Sequence, residues 1–201
     1  HTYKFVVDGG WYADPNNPET VPDGVGGVNS VIRFGKPHLF RLSGFQQAKE
    51  VMLVGSFNQW RDFEWRMNKT TKGWELAYTL GPGNYEYKFK VDGKYYSDPA
   101  NALSSSTSGS SFLILHPNYT FRLAGFANAK AVYLAGDFNN WDPTSFPMKR
   151  EGNSWVFPVH LTVGKHLYKY IVDGKWIIDP GNKLWEQNEH GTGNSVLWVE
   201  R

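Results

Sequence analysis

The C-terminal third of this chain holds a lysine, two tryptophans and an asparagine-bearing loop at spacings that would suit a sugar. Lys169-Tyr170-Ile171-Val172-Asp173-Gly174-Lys175-Trp176 reads as a hairpin, because Asp-Gly between β-forming runs favours a two-residue turn. With that turn Ile171 lies opposite Trp176, and Lys169 lies opposite Ile178. Cross-strand partners share a face, so Lys169 and Trp176 become diagonal neighbours on the face turned away from Tyr168 and Tyr170. Trp141 sits in a loop after an earlier strand, and Thr192-Gly193-Asn194 precede the last one. The CH-rich face of a pyranose lies flat on an indole, while ammonium and amide groups reach its equatorial hydroxyls. Burying roughly 80 Å² of a stacked ring at about 25 cal/mol per Å² gives on the order of 2 kcal/mol. Two such rings and a few hydrogen bonds, less the entropy of association, correspond to a Kd of roughly 10 µM to 1 mM. A site of that strength suits a polymer with many equivalent positions, where linked modules gain by avidity.

The elements that position these residues are repeated. Lys169-Tyr170-Ile171-Val172-Asp173-Gly174 has counterparts in Lys88-Phe89-Lys90-Val91-Asp92-Gly93 and Lys4-Phe5-Val6-Val7-Asp8-Gly9. Asp14-Pro15, Asp98-Pro99 and Asp179-Pro180 follow at the same distance from each Asp-Gly. Gly55-Ser56-Phe57-Asn58-Gln59-Trp60 returns as Gly136-Asp137-Phe138-Asn139-Asn140-Trp141. From Phe40 to Pro99 the offset to the next copy stays at 81 residues without an insertion. Two complete copies follow from this, residues 35–115 and 116–201, while residues 1–34 match only the second half of a copy, ending in a closing strand from Asn29 to Phe34. The alternation of Tyr85, Tyr87, Phe89 and Val91 with Glu86, Lys88 and Lys90 predicts half-buried strands. Short strands at regular spacing, with no convincing amphipathic helix, predict an all-β protein of tandem immunoglobulin-like sandwiches. The short connection between the complete copies predicts that they pack together, and the half-copy is expected to be covered by a neighbouring domain or chain because unpaired edges are adhesive.

Composition narrows the function. A net charge of +2 is too small and too evenly spread for a nucleic-acid footprint, and no apolar run reaches membrane-spanning length. The absence of cysteine removes disulfides, thiol nucleophiles and cysteine-based zinc sites. The six histidines lack metal-ligand spacing, and no cofactor is implied. Glycoside hydrolysis needs two carboxylates across a cleft, whereas the recurring acids lie in turns and corners; Asp8, Asp92 and Asp173 read as turn residues. The chain itself is therefore expected to be non-catalytic. Nine tryptophans exceed what two small cores require. Trp74 and Trp155 are expected in the cores, Trp198 between modules, and Trp60 and Trp141 either in packing or at a site.

In combination, Gly-x-Phe-Asn-x-Trp, Tyr-Lys-Tyr-x-Val-Asp-Gly-x-Trp, Asp-Pro and Gly-Thr-x-Asn resemble the family-48 carbohydrate-binding modules. That family includes the glycogen-binding domain of AMP-activated protein kinase β-subunits and the N-terminal modules of isoamylases and branching enzymes. The resemblance implies an early-set β-sandwich that binds α-1,4-glucans such as glycogen or starch, commonly beside a catalytic domain in the same polypeptide. Carried over by position, its sugar contacts fall on Trp141, Lys169, Trp176, Thr192 and Asn194, with His190 where the family has a leucine that threads the glucan. The middle copy keeps Trp60 and Lys88 but has Tyr95 for the second tryptophan and a shorter, Ser-rich loop from Ser104 to Ser111, with Ser110 at the position of Asn194. The first fragment keeps Lys4, Trp11 and Asn29. Two alternatives stay open at this point: an interaction or spacer sandwich that has lost sugar binding, and a module for another polysaccharide such as xylan.

Overall fold

A computed structural model describes residues 1–32 and 35–200. Among them the elements are short strands, with two single-turn 3-10 segments at Ser56–Asn58 and Asp137–Asn139. The all-β expectation holds, and the chain divides into two compact units. One comprises His1–His38 with Ala77–Leu80, the other Leu39–Leu76 with Gly81–Arg201.

The last copy lies wholly in the second unit, and the middle copy lies there apart from residues 35–38 and 77–80. In the last copy the long strand Gly164–Val172 pairs on one edge with Val132–Gly136. Its other edge is shared by Gly193–Val199 and Lys175–Ile177, and Trp185–Gln187 extends the sheet beyond Gly193–Val199. A second sheet orders Tyr119–Ala124, Ser154–Val159 and Lys149–Glu151. The two sheets close on a hydrophobic core that includes Phe121, Leu134, Phe146, Phe157, Tyr168 and Tyr170. Aromatic rings fill what would otherwise be a thin interior, with Phe146 stacked on Phe157 at 4.7 Å. Trp74 and Trp155 are buried as expected, and each indole N–H donates to a backbone carbonyl, that of Phe45 or Phe126.

The middle copy repeats this plan. Gly83–Val91 pairs with Val51–Gly55, Ser111–Leu115 and Lys94–Tyr96. Its core runs into that of the last copy, since Phe112 packs edge-on against Phe146 at 5.4 Å and belongs to the same buried cluster. The Asn84 side chain also brackets His160, donating to its carbonyl at 2.7 Å and accepting from its N–H at 3.1 Å. Trp198, expected between modules, is instead 61% exposed. It alternates outward along the closing strand, while Phe112 and Asn84 are among the residues that join the two copies.

The Asp-Pro motif has a structural reason. In each copy a tyrosine hydroxyl donates to the aspartate at 2.7 Å: Tyr3 to Asp14, Tyr87 to Asp98, and Tyr168 to Asp179. An asparagine three residues further on donates to the same tyrosine oxygen, and the aspartate N–H donates to a serine in the closing strand. Burial and the adjacent carboxylate push the Tyr87 and Tyr168 phenols far above their usual range. This knot ties the Asp-Gly hairpin to the closing strand.

In the first unit Thr2–Tyr3 and Thr20–Pro22 flank Val28–Val31, and Phe5–Val7 forms a hairpin with Gly10–Tyr12. The observed closing strand ends at Val31; Arg33 and Phe34 of the expected one lie outside the described residues. Phe5 is 47% exposed here, whereas its repeat counterpart Phe89 is fully buried.

Candidate functional site

The Asp173-Gly174 turn forms as the sequence predicts, with both residues at positive φ and Ile171 opposite Trp176. Lys169 and Trp176 accordingly share one face. They border an open groove of about 1000 Å³ together with Trp141, His190, Thr192 and Asn194. All six residues expected at the last copy's site therefore meet in one place.

Two details differ from the simple picture of a lysine displayed beside an indole. Lys169 is buried rather than solvated, because the 188–194 loop folds over it. Its ammonium donates to the Thr192 hydroxyl at 3.0 Å, and burial holds its pKa below the usual lysine value. Trp176 is 44% exposed and lies across from buried Ile171, so its ring has an apolar footing.

Trp141 is presented by an unusual corner. Asn140 and Trp141 both adopt left-handed φ, 54° and 57°, as do Gln59 and Trp60 in the middle copy. Such backbone is uncommon for residues other than glycine and persists only where the surroundings impose it. Buried Asn139 imposes it. Its amide oxygen accepts from Gly136 N–H at 2.9 Å, its nitrogen faces the Leu134 and Asp142 carbonyls, and Trp141 N–H closes the turn on the Gly136 carbonyl. Gly136 is required by close approach, since a Cβ there would lie 2.6 Å from the Leu167 carbonyl oxygen. The Gly-x-Phe-Asn-x-Trp motif is thus a frame that turns an indole outward, and half-buried Trp141 serves both packing and the groove.

Asn188 was not among the residues singled out from the sequence, yet it organises the loop. Its side-chain oxygen accepts from the N–H groups of His190 and Thr192 at 3.1 and 3.0 Å, and from the Thr192 hydroxyl. Its nitrogen donates to Thr192 Oγ1 and Asn194 Oδ1. A signal for it existed in the repeat: Asp23, at the matching place in the first fragment, accepts from Val25 and Gly27 N–H in the same way. His190 lies exposed on the tip of this loop, 3.6 Å from Glu189.

The other two copies spend their lysines differently. Lys88 donates to the Ser108 carbonyl at 2.7 Å, within the Ser-rich loop. Trp60 and Tyr95 are 40% and 50% exposed, but the Tyr95 hydroxyl donates to Asp62 at 2.8 Å, and Asp62 is also paired with Lys90. Those bonds hold the Asp62 carboxyl below the usual range and raise Lys90. Ser110, standing where the last copy has Asn194, is buried with an unpartnered hydroxyl. In the first fragment Lys4 is paired with Asp23 at 2.5 Å, which holds that carboxyl at about 2. Trp11 is 70% exposed across from Val6, and Asn29 sits in the closing strand opposite Val21.

The chain is similar to several known proteins. The family model described as the glycogen recognition site of AMP-activated protein kinase matches residues 36–116 and again residues 119–201. The pig AMP-activated protein kinase subunit beta-1 is 38% identical over 81 residues, 40% of this chain and 62% of that one. The bovine beta-1 subunit is 40% identical over 81 residues, 28% of its length, and the mouse beta-2 subunit 36% identical over 72 residues, 26% of its length. The matched stretch thus spans less than two thirds of each relative. Among solved structures, a maltogenic amylase from S. marinus aligns over 83% of this chain and 29% of its own, at 16% identity and a TM-score of 0.35. A pullulanase from Anoxybacillus sp. LM18-11 aligns over 80% and 26%, at 17% identity and a TM-score of 0.30.

Proposed function

This chain belongs to the family of the AMP-activated protein kinase glycogen recognition site, and on that premise we propose that its last copy binds α-1,4-glucans without catalysing their reaction. The reading rests most on one observation: two tryptophans, Trp141 and Trp176, border the same groove as the Lys169 ammonium and the Asn194 amide. Glucose rings stack on the indoles. Lys169, Thr192 and Asn194 meet the hydroxyl edge, and His190 at the loop tip limits how a chain passes. Desolvated Lys169 makes stronger hydrogen bonds to those hydroxyls than an exposed lysine would. The glucan-binding region is accessory to a catalytic domain or subunit, and the apolar face of residues 1–34 around Phe5 and Val7 is covered in that larger assembly.

Calorimetry and affinity electrophoresis with glycogen, amylopectin and maltoheptaose test the proposal. Retention of the wild type with one strong site per chain is expected, and Trp176→Ala should weaken it sharply. Absence of binding to every α-glucan, with binding to xylan in its place, would move the assignment to another polymer. For the middle copy a spacer role is favoured, because Lys88 and the Tyr95 hydroxyl are already engaged within the protein.

A further inference from the structure

We propose that the Ser-rich loop of the middle copy, at the place where the last copy carries its sugar loop, has become a brace for the Trp141 corner, with Ser105 as the positioning residue. Ser105 is buried, and its hydroxyl donates to the carboxylate of Asp142, the residue directly after Trp141. The other oxygen of Asp142 accepts from the N–H groups of Thr144 and Ser145, which shapes the rest of the corner. Ser106 N–H adds a bond to Thr144 Oγ1 at 3.1 Å. The serine loop is itself anchored to its own sheet. Ser105 Oγ accepts from Thr107 and Ser108 N–H, Ser108 takes Lys88 through its carbonyl, and the Ser108 hydroxyl donates to Glu86.

A continuous polar path therefore runs from Lys88 through Ser108 and Ser105 to Asp142 and the backbone of Trp141. The Ser108–Ser105 and Ser105–Asp142 links are part-buried hydrogen bonds, where loss of one partner leaves the other uncompensated; the Lys88 link is exposed, and the last step to Trp141 is the peptide bond. The loop is three residues shorter than its counterpart, which leaves it too short to form the His190 tip. In place of that tip it bears on the neighbouring copy. The middle copy's lysine and loop are not a weakened sugar site; they hold an indole of the last copy at its angle. This inference concerns the same groove and rests on the glucan-binding reading for its affinity readout alone.

The test is a double-mutant cycle in the full 201-residue chain. Ser105→Ala should weaken maltoheptaose binding about fivefold, and should do so far less in a Trp141→Ala background, because contacting groups couple while distant ones add. Ser105→Thr, which keeps the hydroxyl, should restore binding. Equal losses from Ser105→Ala in both backgrounds, or no loss at all, would overturn the brace. A second readout needs no ligand: in the free protein Ser105→Ala should shift the indole N–H resonance of Trp141 and leave that of Trp176 in place. If the wild type binds no glucan, the functional reading fails, yet this resonance comparison still decides the brace, and an unmoved Trp141 would refute it.

Discussion

The middle and last copies have one scaffold and two different outer faces, and the exchanges responsible are few. Where the last copy has Ile171 under its exposed ring, the middle copy has Lys90; where the last has Pro143, the middle has Asp62. Those two substitutions place an ion pair at 2.5 Å beside Tyr95 and engage its hydroxyl. The third change is the loop, which shelters Lys169 through Thr192 in one copy and captures Lys88 through a backbone carbonyl in the other. The knot, the Asp-Gly turn and the tryptophan corner are common to both. Fold and ligand face are thus separable here: the residues pointing inward preserve the sandwich while those on the opposite side of the same strands diverge.

Removing the best ring should separate the copies most. Trp176→Ala is expected to lower glucan affinity about thirtyfold, the equivalent of roughly 2 kcal/mol of stacking, whereas Tyr95→Ala should leave it within twofold; calorimetry on both variants measures the contrast. Lysine loss comes next. Lys169→Met should cost about tenfold, as for one hydrogen bond from a charged donor, with Lys88→Met acting only through the brace. A graft sharpens the comparison further. Asp62→Pro, Lys90→Ile and Tyr95→Trp together should strengthen retention on glycogen gels slightly, by giving the middle copy an apolar ring; unchanged mobility would show that the loop, and not the ring, decides. The smallest effects concern protons. Because burial lowers the Lys169 pKa, binding should weaken as pH rises through that lowered value, when the ammonium becomes a neutral amine. Asp62 runs the other way: its folded pKa is depressed, so its pairing contributes above the unfolded value of about 3.9 and is lost as pH falls through the folded one. Carboxyl NMR titration should find Asp62 below the usual range, and Lys90→Met should bring it part of the way back, the Tyr95 hydroxyl still donating to it.

Much of this was legible in the residues. The Asp173-Gly174 turn set the register, and the register put Lys169 and Trp176 on one face, as the strands show. The repeat gave the strand plan and the core alternation. What alternation cannot give is depth: it assigns Lys169 a side of the sheet but says nothing about a loop closing over it. Asn188 was missed because its role is a set of backbone and side-chain bonds within a seven-residue loop, visible only by comparison with Asp23 in a fragment of low similarity. The joint through Phe112 and Asn84 was hidden for another reason. Contacts between copies are not repeated, so no internal periodicity marks them. Trp198 shows the converse error, a large ring assigned to an interface that smaller groups had already filled.

The left-handed pair at Asn140 and Trp141 also restricts how this lineage can retune its affinity. A side chain branched at Cβ clashes with that backbone conformation far more than a ring held off by a methylene. Phenylalanine, tyrosine or histidine can stand in for the indole, while valine, isoleucine or threonine would have to break the bend itself. Drift at this position is therefore channelled through flat groups, and grip on the polymer can be graded down in steps without the corner being dismantled.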